Sequence, residues 1–104
     1  MKLFVYGTLS PDSGSFSTFN TKLIGSGSIL ATRVENTEYP ALIRPIDGYN
    51  SISGKILEVD NFDTLDEYEE FYPNDLKNSL YIRDKVNVTT EDGMLECYIY
   101  WYNI

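Results

Sequence analysis

The chain has 104 residues, of which 42% are hydrophobic, 23% charged and 14% aromatic; this fits one domain spanning 1–104, with a real core but no room for separate cofactor and substrate domains. Sixteen acidic against eight basic side chains give a formal charge of −8, which repels nucleic-acid phosphates and anionic membrane surfaces. There is no histidine and a single cysteine, Cys97. An internal disulfide, the usual zinc sites and Cys/His or Ser/His/Asp catalysis therefore each lack a part, and any chemistry must rest on carboxylates, hydroxyls, amines or backbone.

The opening MKLFVYGTLS lacks the apolar stretch of a secretory signal, and no run approaches the ~20 apolar residues of a membrane span, so a cytoplasmic protein is expected. Residues 2–6, KLFVY, read as a strand that meets a turn at Gly7. SPDSGS, 10–15, is a loop by composition, and FSTFNTK after it permits a short helix. From Leu23 to Glu35 the pattern is strand-like, and Gly25 and Gly27 predict a bulge or a barrel corner within it. YPALI, 39–43, is a short extended piece, with Tyr39-Pro40 read as a rigid turn. Residues 52–59 form a further strand. After an acidic stretch come two long runs, SLYIRDKVNVTT and MLECYIYWY, joined by Glu91-Asp92-Gly93 as a hairpin. In the second run Leu95, Cys97, Ile99 and Trp101 share one face and Glu96, Tyr98, Tyr100 and Tyr102 the other. On that reading Cys97 is packing, not a nucleophile. Tyr100 either offers its hydroxyl to a ligand or only covers the sheet. Five or six strands with one helix in so short a chain predict an α+β fold, a strongly bent and partly closed sheet with the helix packed on it.

The helix is carried by the acidic stretch. Asp60 or Asn61 is placed to cap it, and its early acids suit the positive end of the helix dipole. At 100° per residue Phe62, Leu65, Glu69 and Tyr72 fall on one side, with Tyr68 at its edge. Of the glutamates in LDEYEEF, residues 65–71, Glu69 is thus the one within the apolar stripe. A carboxylate held against apolar groups loses hydration, which raises its pKa and makes it an acid or base usable near neutral pH. The competing reading leaves Glu69 at the last turn, bonded to a strand hydroxyl or turned to water. Arg83 is expected to pair with an acid of this helix.

Five blocks in order, Phe4-Val5-Tyr6-Gly7-Thr8-Leu9, Tyr39-Pro40-Ala41-Leu42, Gly54-Lys55-Ile56-Leu57-Glu58-Val59, Leu65-Asp66-Glu67-Tyr68-Glu69 and Tyr81-Ile82-Arg83, resemble the γ-glutamylcyclotransferase-like family. The resemblance implies a small mixed β-barrel of five to six strands with one or two packed helices. It also implies an enzyme, free of metal and cofactor, that cyclises a small γ-glutamyl amine or amino-acid derivative to 5-oxoproline and releases the amine. It gives Glu69 the role of general acid/base, and gives the loop of Tyr6, Gly7, Thr8 and Leu9 that of holding the glutamyl part. Tyr100 is the further candidate for substrate contact. Family members usually carry glycine after the key glutamate; here Glu70 stands there, with a like charge expected to push Glu69 further up. The alternative is a non-catalytic ligand-binding or interaction module on the same fold.

Overall fold

Runs of β-branched and aromatic residues with period-two alternation give six strands. The computed structural model describes residues 1–6, 21–34, 41–46 and 48–103. The strands are β1 (Lys2–Val5), β2 (Thr21–Arg33), β3 (Leu42–Ile43), β4 (Asn50–Val59), β5 (Tyr81–Thr90) and β6 (Gly93–Tyr102), and helix α1 (Asp63–Tyr68) lies between β4 and β5. A 3₁₀ turn, Leu76–Asn78, follows the helix. The expected loop and short helix within 10–22 lie outside the described residues up to Asn20, and so do Tyr39 and Pro40.

Neighbouring strands run in the order β3-β2-β4-β1-β6-β5, and a pairing of Ser28 on β2 with Thr89 on β5 closes five of them into a barrel, with β3 added outside on β2. The barrel is mixed because β1 lies parallel to β6, Leu3 opposite Tyr98, whereas the other pairings are antiparallel. The two interruptions in β2 have separate uses. Pairing passes from Leu23–Leu57 to Gly25–Ile56, so Ile24 is an extra residue that bends the strand. Gly27 sits opposite Gly54, and both are places of close approach. A Cβ on Gly27 would lie 2.5 Å from Val88 Cγ1 and 2.7 Å from the Thr89 carbonyl oxygen; one on Gly54 would run into the Val5 carbonyl oxygen and the Phe4 ring. Five strands close this tightly because those two positions carry no side chain.

Alternation then divides the apolar residues into two layers. Phe4, Ile29, Ile52, Ile56, Val88, Cys97, Ile99 and Trp101 fill the barrel. Leu3, Val5, Leu57, Val59 and Tyr100 face outward and are covered by Phe62 and Leu65 of α1 and by Phe71 beyond it. Covering Phe62 and Leu65 is worth ~1.5–3 kcal/mol each, and this holds a six-residue helix that would not persist alone. Across the hairpin all ten pairs from Tyr81–Tyr102 to Thr90–Gly93 are in register. The turn uses Gly93 at φ 108°, and Thr90 Oγ1 accepts from the Asp92 N–H at 3.2 Å.

The helix corrects the sequence reading in two respects. It starts later, with Phe62 rather than Asp60 or Asn61 at the N-cap, although Asn61 Oδ1 does accept the Asp63 N–H at 3.1 Å. It also stops at Tyr68, so the 100° periodicity does not reach Tyr72. That side chain is exposed, and Phe71 takes the buried place.

Filling the close approach should be costly. Gly54→Ala is expected to destabilise the protein by ~1–3 kcal/mol through overpacking, whereas Gly25→Ala, where a Cβ meets nothing within 4 Å, should change stability far less. Urea unfolding of the two variants gives the comparison.

Candidate functional site

The site is built outward from Asp66. Its carboxylate accepts two hydrogen bonds from Arg83 of β5, Nε to Oδ1 at 2.9 Å and Nη2 to Oδ2 at 3.2 Å, and one from the Tyr100 hydroxyl of β6 to Oδ1 at 2.6 Å. Arg83 and Tyr100 are directly paired across β5 and β6, so the two donors arrive from adjacent positions. The guanidinium is also packed against aromatic rings, 4.3 Å from the centre of Phe62 and 5.4 Å from that of Tyr98. A planar cation with two bonds and an aromatic face has little freedom left.

The helix ends in a Schellman motif just after that anchor. The Phe71 N–H donates to the Asp66 carbonyl at 2.8 Å and the Glu70 N–H to that of Glu67 at 3.1 Å, while Glu70 takes the left-handed conformation at φ 54°. Phe71 and Leu65 share the outer cluster, the apolar contact that usually accompanies this motif. Glycine is the ordinary residue for the left-handed position. Glu69 is therefore the helix C-cap, one residue beyond the helix, and the tight reversal keeps its side chain on the barrel side.

Glu69 is only 8% exposed, one of two buried polar or charged residues among those described. Burial raises its carboxyl from the ordinary 4.5 to about 7. Burial, and not the like charge expected from Glu70, is the cause of the rise, and Glu70 itself is exposed. Three phenols lie within the electrostatic reach of Glu69. Tyr81 is pushed up to about 12 by burial and then by Glu69. Tyr6 is raised by burial, then by Tyr81, with a smaller effect of Glu69. Tyr100 is raised by burial and by its bond to Asp66, and least by Glu69. All three stay neutral hydroxyls around one titratable carboxyl.

Of the other residues singled out by sequence, Tyr6 donates its hydroxyl to the Tyr100 carbonyl at 2.9 Å, which ties the end of β1 to β6. Gly7, Thr8 and Leu9 lie outside the described residues. The Tyr100 hydroxyl proton is given to Asp66. Cys97 is buried inside the barrel, and burial pushes its thiol up, away from the reactive thiolate. Among the described residues no group of three or more Cys, Asp or Glu side chains is placed to hold a metal. A cleft of ≈ 510 Å³ takes in Tyr6 and Lys55 but not Glu69. Tyr6 therefore lies both on this cleft and within the electrostatic reach of Glu69.

Asp66 and Tyr81 are the members of this arrangement that sequence reasoning passed over. The signal for Asp66 is present in the sequence, since the same wheel sets it about 40° from Phe62.

With this geometry in hand, the model of the family "Gamma-glutamyl cyclotransferase, AIG2-like" matches residues 3–104. The chain belongs to that family. Solved structures agree on the fold of this cyclotransferase-family protein. An AIG2-like protein of Mus musculus superposes with a TM-score of 0.74 at 22% identity, over 96% of this chain and 75% of that one. A protein of Arabidopsis thaliana gives 0.67 at 21%, over 97% and 67%, and an uncharacterized protein of Pyrococcus horikoshii 0.64 at 19%, over 100% and 79%. No curated protein matches the chain.

Two measurements follow. Because the folded-state pKa of Glu69 lies above its unfolded value, the native state binds the extra proton between them; its stability is full below about 4.5 and falls as pH rises through about 7. At ~1.36 kcal/mol per pH unit the loss is of order 3 kcal/mol. Glu69→Gln should flatten that part of the stability profile in urea titrations at pH 4 to 8, and an unchanged slope would show that Glu69 is hydrated. Glu70→Gly should raise stability by ~1 kcal/mol by relieving the left-handed position.

Proposed function

We propose that this protein is an enzyme that cyclises a γ-glutamyl amine or γ-glutamyl amino-acid derivative to 5-oxoproline and releases the amine, with Glu69 as general acid/base. The observation that carries the reading is a buried carboxyl, raised to about 7, in a chain whose family is that of γ-glutamyl cyclotransferases.

In such a substrate the α-amino group and the γ-carbonyl belong to one molecule, so the protein has to hold the folded-back conformer and move protons. The α-amino group, with a pKa of ~8, must lose a proton to attack. That proton goes to solvent; Glu69 in its ionised form then takes a second proton from the attacking nitrogen as the new N–C bond forms and a tetrahedral carbon develops, so the ring nitrogen ends as a neutral amide N–H. When the old C–N bond breaks, the protonated Glu69 returns a proton to the departing nitrogen, which leaves as a neutral amine. A carboxyl near 7 is divided between its two forms at neutral pH, which suits a group that must act in both directions. Negative charge grows on the γ-carbonyl oxygen. In this reading the backbone N–H groups of Gly7, Thr8 and Leu9 hold that oxygen or the substrate carboxylate, a kind of contact worth ~3–4 kcal/mol per donor.

The test is a panel of γ-glutamyl amino acids, γ-glutamyl-ε-lysine and glutathione, assayed for 5-oxoproline. Release from a member is expected, and Glu69→Gln should lower turnover on it by at least ~10²-fold while ligand still binds. Full turnover by that variant would remove Glu69 from the chemistry. No release from any member would favour the ligand-binding module.

A further inference from the structure

We propose that Asp66 is the positioning residue of the site: clamped to the barrel by Arg83 and Tyr100, it fixes the turn that presents Glu69. This rests on the reading of Glu69 as the acid/base group.

Helix α1 has six residues, too few to hold a direction by its own hydrogen bonds. Something else must fix what it presents, because acid/base groups lose rate when displaced by a fraction of an ångström. Asp66 is tied in both its parts. The side chain takes three bonds from two strands, and the backbone carbonyl takes the Phe71 N–H that closes the turn. Glu69 lies between these two attachments. On the return side the Glu70 carbonyl accepts the Leu80 N–H at 2.9 Å, and the Leu80 carbonyl accepts the Asn103 N–H at 3.0 Å. The Asn103 side chain donates to the carbonyls of Leu76 and Ser79 at 2.8 and 2.9 Å. The reversal is thus held at its start by Asp66 and at its end by Leu80 and Asn103, which flank the β5–β6 hairpin.

Charge gives the clamp a second use. The Asp66 charge is matched by Arg83, and among the described residues the phenols of Tyr6 beyond β1, Tyr81 of β5 and Tyr100 of β6 lie within the electrostatic reach of Glu69. Released from the clamp, Arg83 would be a mobile cation one helical turn from Glu69, and the turn itself could open to water.

Arg83→Lys and Tyr100→Phe test this without altering net charge; the first removes the two-pronged donor and the second only a hydroxyl. In each, the titration midpoint of Glu69, followed by its ¹³C carboxyl resonance and assigned with Glu69→Gln, should fall by at least one pH unit from about 7 toward the ordinary ~4.3. Turnover should drop by ~10- to 100-fold with little change in KM, and the double variant should be little worse than the more affected single one, since both act through one carboxylate. A midpoint unmoved in both variants overturns the proposal, including the case in which only the melting temperature falls. A raised KM with an unmoved midpoint would instead make Tyr100 a direct substrate contact and also overturn it. If Glu69→Gln turns over like the parent, the acid/base reading fails, while the midpoint still decides whether Asp66 positions Glu69.

Discussion

From Cys97 onward strand β6 is covered on both faces, and most of the molecule is arranged by that constraint. Its residues Cys97, Ile99 and Trp101 point into the barrel, while Tyr100 points out under the helix. A strand covered on both sides needs a partner on each edge as well, and it has β5 on one and β1 on the other. The parallel β1–β6 contact brings the end of β1, and with it Tyr6, beside Tyr100 and within reach of Glu69. The interior layer closes the barrel and the exterior layer carries the proposed site, and one ten-residue strand contributes to both.

Asp66 and Glu69 show how a strongly acidic chain can set apart one carboxyl. They are three residues apart and both lie against the barrel. Asp66 accepts three hydrogen bonds, two of them from a cation, so its charge is compensated where it stands. Among the described residues none is seen to donate a hydrogen bond to the Glu69 carboxylate, and burial raises it. Environment rather than residue type separates the two, the general means by which one fold assigns different roles to like groups.

Much of this was legible in the sequence because the features concerned are local or periodic. The alternation of β6, the Asp-Gly hairpin, the glycines that bend β2 and the inward side of the helix all follow from spacing alone. The family blocks gave the closure of the sheet, which alternation cannot reveal, since the Ser28–Thr89 pairing joins residues 61 positions apart. The end of the helix was read less well. A wheel continues for as long as residues are placed on it, and nothing in Glu70 announces a left-handed backbone as glycine would. Tyr72 was therefore put inward where Phe71 belongs. The clamp was half visible: Arg83 was expected to pair with a helix acid, but which acid depends on the register of β5 against α1, and that is set by tertiary packing.

The segment from Tyr72 to Asn78 is exposed throughout, and the chain on either side of it is joined at the neck by the bond between the Glu70 carbonyl and the Leu80 N–H. A loop closed at its base can change length at its tip, away from the bonds of Tyr72, Asp75 and Leu76, without opening that base. Doubling the length of such a loop costs only ~0.6 kcal/mol in closure entropy, and extra residues at Pro73-Asn74 would project into solvent with Glu69 left in place. This is the position at which chain length can vary during evolution, or a foreign peptide be grafted, and at which a longer segment could fold back over the carboxyl and alter which molecules reach it.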